Sequence, residues 1–183
     1  MRTRISLLLL AGAATLGGCM AKEEPASTGS ATAAPGGTVT VADAQGATVA
    51  TATLHQTTGG VRLVVEATAV PPGTHGIHIH TVGQCAAPGF TTAGGHWNPT
   101  GRTHGMESPG GMHQGDLPNI VIAADGTGRL DTVIKGATLT GSPDALLDAD
   151  GAALVIHADP DDYRTDPAGN SGARIACGVI QAG

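Results

Sequence analysis

From Gly37 onward, apolar and β-branched residues recur at every second position or in short unbroken runs, the signature of strands rather than helices. Segments 38–43 (TVTVAD), 48–55 (TVATATLH) and 60–69 (GVRLVVEATA) are separated by the turn-forming runs Ala44-Gln45-Gly46 and Thr57-Thr58-Gly59. Pro71-Pro72-Gly73 breaks the chain before a strand over 75–82. Segments 119–124 and 128–135 flank Asp125-Gly126-Thr127-Gly128 as a hairpin. Strand 152–157 follows Asp150-Gly151, and 173–180 closes the domain, with at most one helical turn at 143–148. The pattern predicts an all-β fold, an eight-stranded antiparallel Greek-key sandwich or flattened barrel. Its core must be aliphatic, because Phe90, Trp97 and Tyr163 are the only aromatic residues of the three classical types. Two stretches, 83–118 and 158–172, lose the rhythm and are rich in Gly, Pro, His and Asp. Irregular loops of that length in a compact domain are usually functional.

One strand carries two patterns at once. In His75-Gly76-Ile77-His78-Ile79-His80, alternation sends Ile77 and Ile79 to one face and His78 and His80 to the other. Two neutral imidazoles side by side on a strand suit a transition metal such as copper or zinc. His75 points away from that pair and is expected to be a buried, hydrogen-bonded structural residue, His55 a surface residue and Trp97 a packing residue.

The first eighteen residues are not expected to belong to the fold. Arg2 and Arg4 precede the apolar run Ile5–Leu10 and a small-residue stretch, a secretory signal too short to span a membrane. Its ending, Leu16-Gly17-Gly18-Cys19, resembles the bacterial lipoprotein cleavage box, which makes Cys19 the lipidated first residue of the mature chain; the alternative is an ordinary cut near Ala21. Residues 19–37 then read as a flexible tether, and 38–183 as the domain. Losing Arg2 and Arg4 leaves seven basic side chains against fifteen acidic ones, a net charge of −8. That balance argues against nucleic acid. Setting Cys19 aside leaves Cys85 and Cys177, an even pair in an exported protein and so a disulfide. The expected location is extracytoplasmic: a cell-membrane or outer-membrane lipoprotein facing the periplasm or the cell surface. The strand faces do not decide between a monomer and a homodimer.

Six of the eight histidines fall where ligands would be wanted: His78 and His80 on one strand, His96, His104 and His113 on the long loop, and His157 at a strand end. Asp116 lies three residues beyond His113. Six imidazoles and one carboxylate are too many donors for one four-coordinate ion and about right for two.

The segments Gly76-Ile77-His78-Ile79-His80, Gly95-His96-Trp97-Asn98-Pro99, His113-Gln114-Gly115-Asp116-Leu117 and Arg174-Ile175-Ala176-Cys177-Gly178-Val179-Ile180 together resemble copper,zinc superoxide dismutase over nearly all of 38–183. The resemblance implies copper on His78, His80, His96 and His157. It implies zinc on His96, His104, His113 and Asp116, with His96 bridging the two ions as an imidazolate. It further implies that Asp161 hydrogen-bonds the outer nitrogens of His78 and His104. Arg174 and His96 become the catalytic pair, the first drawing in anionic superoxide and the second handling a proton. The stretch from His157 to Arg174 departs from the family pattern. It is short, Arg164 is its only basic residue between those ends, and Ala168 replaces a channel threonine, so the resemblance carries no electrostatic guidance to this loop. The alternative function is a non-catalytic surface copper- and zinc-binding protein.

Overall fold

The structure is a computed structural model and describes residues 36–183 of the 183. The expected signal, the Cys19 anchor and nearly all of the tether lie outside the described residues. Ten strands form: β1 (Gly36–Asp43), β2 (Thr48–Thr57), β3 (Gly60–Ala67), β4 (Gly73–His75), β5 (Ile77–His80), β6 (Ile120–Ile122), β7 (Gly128–Lys135), β8 (Ala153–His157), β9 (Arg174–Val179) and β10 (Gln181–Ala182). Their order is β4-β6-β7-β3-β2-β1-β9-β8-β5, with β10 on β1, and every pairing is antiparallel. Among the described residues there is no α-helix, only a 3-10 turn at Thr91–Ala93; segment 143–148 forms turns.

The fold is the expected all-β flattened barrel, with ten strands where the alternation predicts eight. One of the two extra strands is β10, at the end of the chain, and the other comes from a break at Gly76. Instead of one strand over 75–82, the chain changes partner there: His75 of β4 pairs with Ile120, and Ile77 of β5 pairs with Ile156. The switch is held by Gly76 N donating to Asp159 O at 2.9 Å and His157 N donating to Gly76 O at 2.8 Å. β4 and β5 end the path on opposite sides, so the covalent chain at Gly76 closes the barrel that pairing leaves open.

Alternation sets the core. Val39, Val41, Leu54, Leu63, Val65, Ile77, Ile79, Leu154 and Ile156 are buried in one aliphatic cluster, joined by Trp97 from the long loop. β5 is buried on both faces, because its imidazole face is roofed by the loops. His75 is buried, with Nδ1 2.8 Å from His157 O and Nε2 2.9 Å from Pro71 O, and His55 is exposed, both as expected. Val155, Phe90, Ala93 and Cys177 form a smaller cluster against Cys85.

Cys85 and Cys177 are bridged across 92 residues, tying the first long loop to β9. Fixing a loop of that length in the unfolded chain is worth about 4 to 5 kcal/mol on the chain-entropy account. Reduction and alkylation of the metal-free protein are therefore expected to cost that much in denaturant unfolding. A loss below about 1 kcal/mol would contradict the expectation.

Candidate metal centre

β5 is an edge strand, and the way its edge is covered builds the site. Two loop segments lie along it: Trp97 N donates to Ile79 O at 2.8 Å and Ile79 N donates to Gly115 O at 2.9 Å. These bonds set His96 opposite His80 and Asp116 opposite His78. Gly115 permits the approach, since a Cβ there would sit 2.3 Å from Ile79 O. His157 arrives from β8, the strand paired to β5, where its register with β9 shifts after Ile156.

The side chains converge in two groups that share one residue: His78, His80, His96 and His157 in one, and His96, His104, His113 and Asp116 in the other. Within each group the candidate ligand atoms lie within 4.8 Å of one another. All seven residues are buried. In the first group, His78 Nδ1, His80 Nε2, His96 Nε2 and His157 Nε2 are buried without a hydrogen-bond partner. Four partnerless nitrogens facing one another cost stability in the metal-free chain, and they are the donor set a four-ligand cation would satisfy. The opposite nitrogens are engaged with acceptors: His78 Nε2 is 2.7 Å from Asp161 Oδ2, His80 Nδ1 2.9 Å from Gly94 O and His157 Nδ1 3.4 Å from Gly172 O. Protonating those outer nitrogens leaves a lone pair on each inner one.

In the second group three Nδ1 atoms surround one oxygen. Asp116 Oδ1 lies 2.8 Å from His96, 3.1 Å from His104 and 3.2 Å from His113, and the His96 and His113 Nδ1 atoms are 3.4 Å apart. Three nitrogens and an oxygen at such spacings suit a closed tetrahedral zinc site. Asp116 Oδ2 is anchored by the backbone N–H groups of Gly105 and His113, at 2.8 and 3.0 Å. His96 offers Nδ1 to this group and Nε2 to the other. Asp161 ties the groups together, because its Oδ1 takes His104 Nε2 at 3.0 Å while Oδ2 takes His78.

The metal-free electrostatics follow from this packing. Burial pushes His80 down to about 2, His157 to about 3 and His96 to about 4, with nearby imidazoles adding to the effect and hydrogen-bond acceptors opposing it. His78 moves the same way for the same leading reason. His104 is the exception: burial disfavours its charge, but hydrogen bonds to Asp116 and Asp161 raise it to about 9. Both carboxyls sit well below their usual range, the histidine hydrogen bonds outweighing burial.

Arg174 opens β9, and its guanidinium donates to Phe90 O at 2.8 Å and Gly94 O at 2.7 Å. Gly94 O is also the acceptor for His80, so one carbonyl places the arginine and a ring of the first group. Arg164 is already paired: its Nε donates to Glu107 at 2.6 Å.

Sequence comparison places this geometry. The model of the copper/zinc superoxide dismutase (SODC) family matches residues 48–180. The chain belongs to the copper/zinc superoxide dismutase family. Superoxide dismutase (Cu-Zn) 2 of Aquifex aeolicus is 44% identical over 139 residues, 75% of this chain and 81% of that protein. A superoxide dismutase (Cu-Zn) of Caulobacter vibrioides is 44% identical over 135 residues, 70% and 76% of the two chains. Among solved structures, a SOD-like protein from Bacillus subtilis aligns with TM-score 0.74 at 38% identity, covering 78% of this chain and 96% of that one. The Cu/Zn superoxide dismutase of Brucella abortus aligns with TM-score 0.63 at 28% identity, covering 80% and 99%. The protein is thus an enzyme of the superoxide dismutase class, with superoxide as substrate and copper and zinc as cofactors.

The structure brings together every site residue picked out in the sequence of the domain. Reading the sequence does not find Gly94, Glu107, Asn119, Asp166 and Gly169. Asp166 Oδ1 accepts His104 N at 2.7 Å. Gly169 takes φ 63°, and a Cβ on it would fall inside the Asp161 carboxylate. Gly94, Glu107, Asn119 and Asp166 act through partners 80, 57, 42 and 62 positions away, and no local spacing announces them.

Proposed function

We propose that His78, His80, His96 and His157 hold copper, that His96, His104, His113 and Asp116 hold zinc, and that the unprotonated His96 ring bridges the two. The observation that carries this reading is the set of four buried nitrogens without partners, back to back with three nitrogens and an oxygen around a second point. Copper held there supplies one-electron redox chemistry, oxidising one superoxide to dioxygen and reducing a second to hydrogen peroxide, while zinc supplies fixed positive charge. Arg174, fixed by two carbonyls, keeps N–H donors and a positive charge beside the first group, where an anionic dioxygen species is drawn in and oriented. With Nδ1 held beside Asp116 and a partnerless Nε2 facing the first group, His96 is the residue that would hold a proton at Nε2 for the reduced product, and water would supply the other. His78, His80 and His104 are held in orientation through their outer nitrogens. A storage protein has no use for Arg174 or for a shared ring. Titrating the metal-free protein with zinc and then copper(II) tests the assignment. One ion of each per chain is expected, and His96→Ala should disturb both sites; a single binding site, or loss of only one ion, would contradict it.

The reading extends to location. The apolar start, the Leu16-Gly17-Gly18-Cys19 box and a disulfide-bonded domain support an exported protein anchored through Cys19, defending the extracytoplasmic space against superoxide.

Guidance of the substrate is local. Residues 36–183 carry six basic against thirteen acidic side chains. Arg62 and Arg129 pair with Asp131 and Glu66, and Arg164 pairs with Glu107. Raising salt from about 10 to about 200 mM should therefore leave the dismutation rate unchanged or raise it, since screening weakens repulsion by a negative protein. Arg174→Ala should cost roughly tenfold, the worth of one charge-assisted contact, and Arg164→Ala less than twofold, about the worth of an exposed ion pair. A rate that falls steeply with salt would contradict local guidance.

A further inference from the structure

Asp161 joins the two groups, yet it sits on an irregular loop, so its carboxylate is only as fixed as its backbone. One side chain holds that backbone from the barrel. Asn119 Nδ2 donates to Asp161 O at 2.9 Å, and Asp161 N donates to Asn119 Oδ1 at 2.8 Å. Both polar ends of one carboxamide close on both backbone groups of one residue, as a neighbouring strand would. Asn119 immediately precedes β6 and lies three residues past Asp116, so the barrel itself sets its position. Its own N–H donates to Tyr163 Oη at 2.8 Å, and Tyr163 N donates to Asp161 Oδ1 at 2.6 Å, closing a ring of contacts around the carboxylate.

We propose that Asn119 is the positioning residue of both metal sites: by clasping the backbone of Asp161 it keeps that carboxylate between His78 and His104. Retention of both ions then depends on a side chain that belongs to neither donor set. The inference rests on the metal assignment above. The chemistry asks for a carboxamide of this length. Aspartate lacks the donor and adds a second negative charge, alanine supplies neither bond, and glutamine is one methylene too long for the same ring.

The test is release of zinc and copper from the fully loaded protein into excess chelator, well below the unfolding temperature. Loosening an outer partner of a metal-binding histidine typically costs 10- to 100-fold in affinity. Asn119→Ala is therefore expected to release both ions about tenfold faster and to shift the copper(II) visible band, with Asn119→Asp no better. Leu130→Ala, a buried β7 substitution remote from Asp161 in the chain, separates this from mere destabilisation: it should lower the melting temperature and leave both release rates unchanged. Release from Asn119→Ala within twofold of the unmutated protein, with only the melting temperature lowered, would overturn the inference. An unmutated protein that fails to load one copper and one zinc would overturn the metal assignment and this inference with it.

Discussion

His157→Ala is expected to fold, keep zinc and lose dismutation by three orders of magnitude or more, about 4 kcal/mol or more of transition-state stabilisation. Its ring supplies one of the four partnerless nitrogens and belongs only to the first group. Its backbone bonds, N–H to Gly76 O and C=O with the His75 ring, survive truncation. Removing a buried nitrogen that has no partner also offsets part of the cavity cost, so the metal-free variant should stay within about 1 to 2 kcal/mol of the parent in stability. Metal counting beside a superoxide-decay assay checks the separation. A variant that keeps more than a tenth of the parent activity would remove His157 from the copper site, and one that loses zinc as well would undo the division into two groups.

The metal-free protein is expected to be most stable near pH 6.5 and to unfold steeply in acid. His80, His96 and His157 have folded pKa values well below 6.5, so the unfolded chain binds protons that the folded one refuses. Their destabilisation is absent above pH 6.5 and builds as pH falls toward 4. With three such rings the slope is up to about 4 kcal/mol per pH unit, enough to exhaust an ordinary domain's stability within about two units. His104 has the opposite sign: raised to about 9, it contributes stability that is complete below 6.5 and lost as pH rises through 9. Asp116 and Asp161, both depressed, add stability above their unfolded values that is lost in stronger acid. Denaturant unfolding from pH 4 to 9 after chelation measures the curve. A flat profile between pH 4.5 and 6.5 would show that those rings titrate normally and are not held in a dry cluster.

How much of this was legible in the sequence depends on how local each cause is. Alternation along Ile77-His78-Ile79-His80 is a two-residue pattern, and it gave the ligand face and the core face together. The long β1–β3 and β7 segments were legible for the same reason, and Cys85–Cys177 followed from counting. The break at Gly76 was not, because the residues on either side are equally strand-like; what ends β4 is pairing with Ile120 on one side and Ile156 on the other. Arg164 reads in sequence only as the one basic residue of its loop, and only folding sets Glu107, 57 residues earlier, against it. Asn119 likewise reads only as the first residue of the strand segment 119–124 until Asp161, 42 residues later, closes on it.

The most direct measurement of the central claim is superoxide decay catalysed by the purified protein after reconstitution, with copper and zinc counted in every preparation. The account predicts rapid dismutation in proportion to bound copper, at one copper and one zinc per chain. A fully loaded protein that leaves superoxide to decay at its uncatalysed rate would contradict it, and would leave a metal-binding surface protein in place of an enzyme.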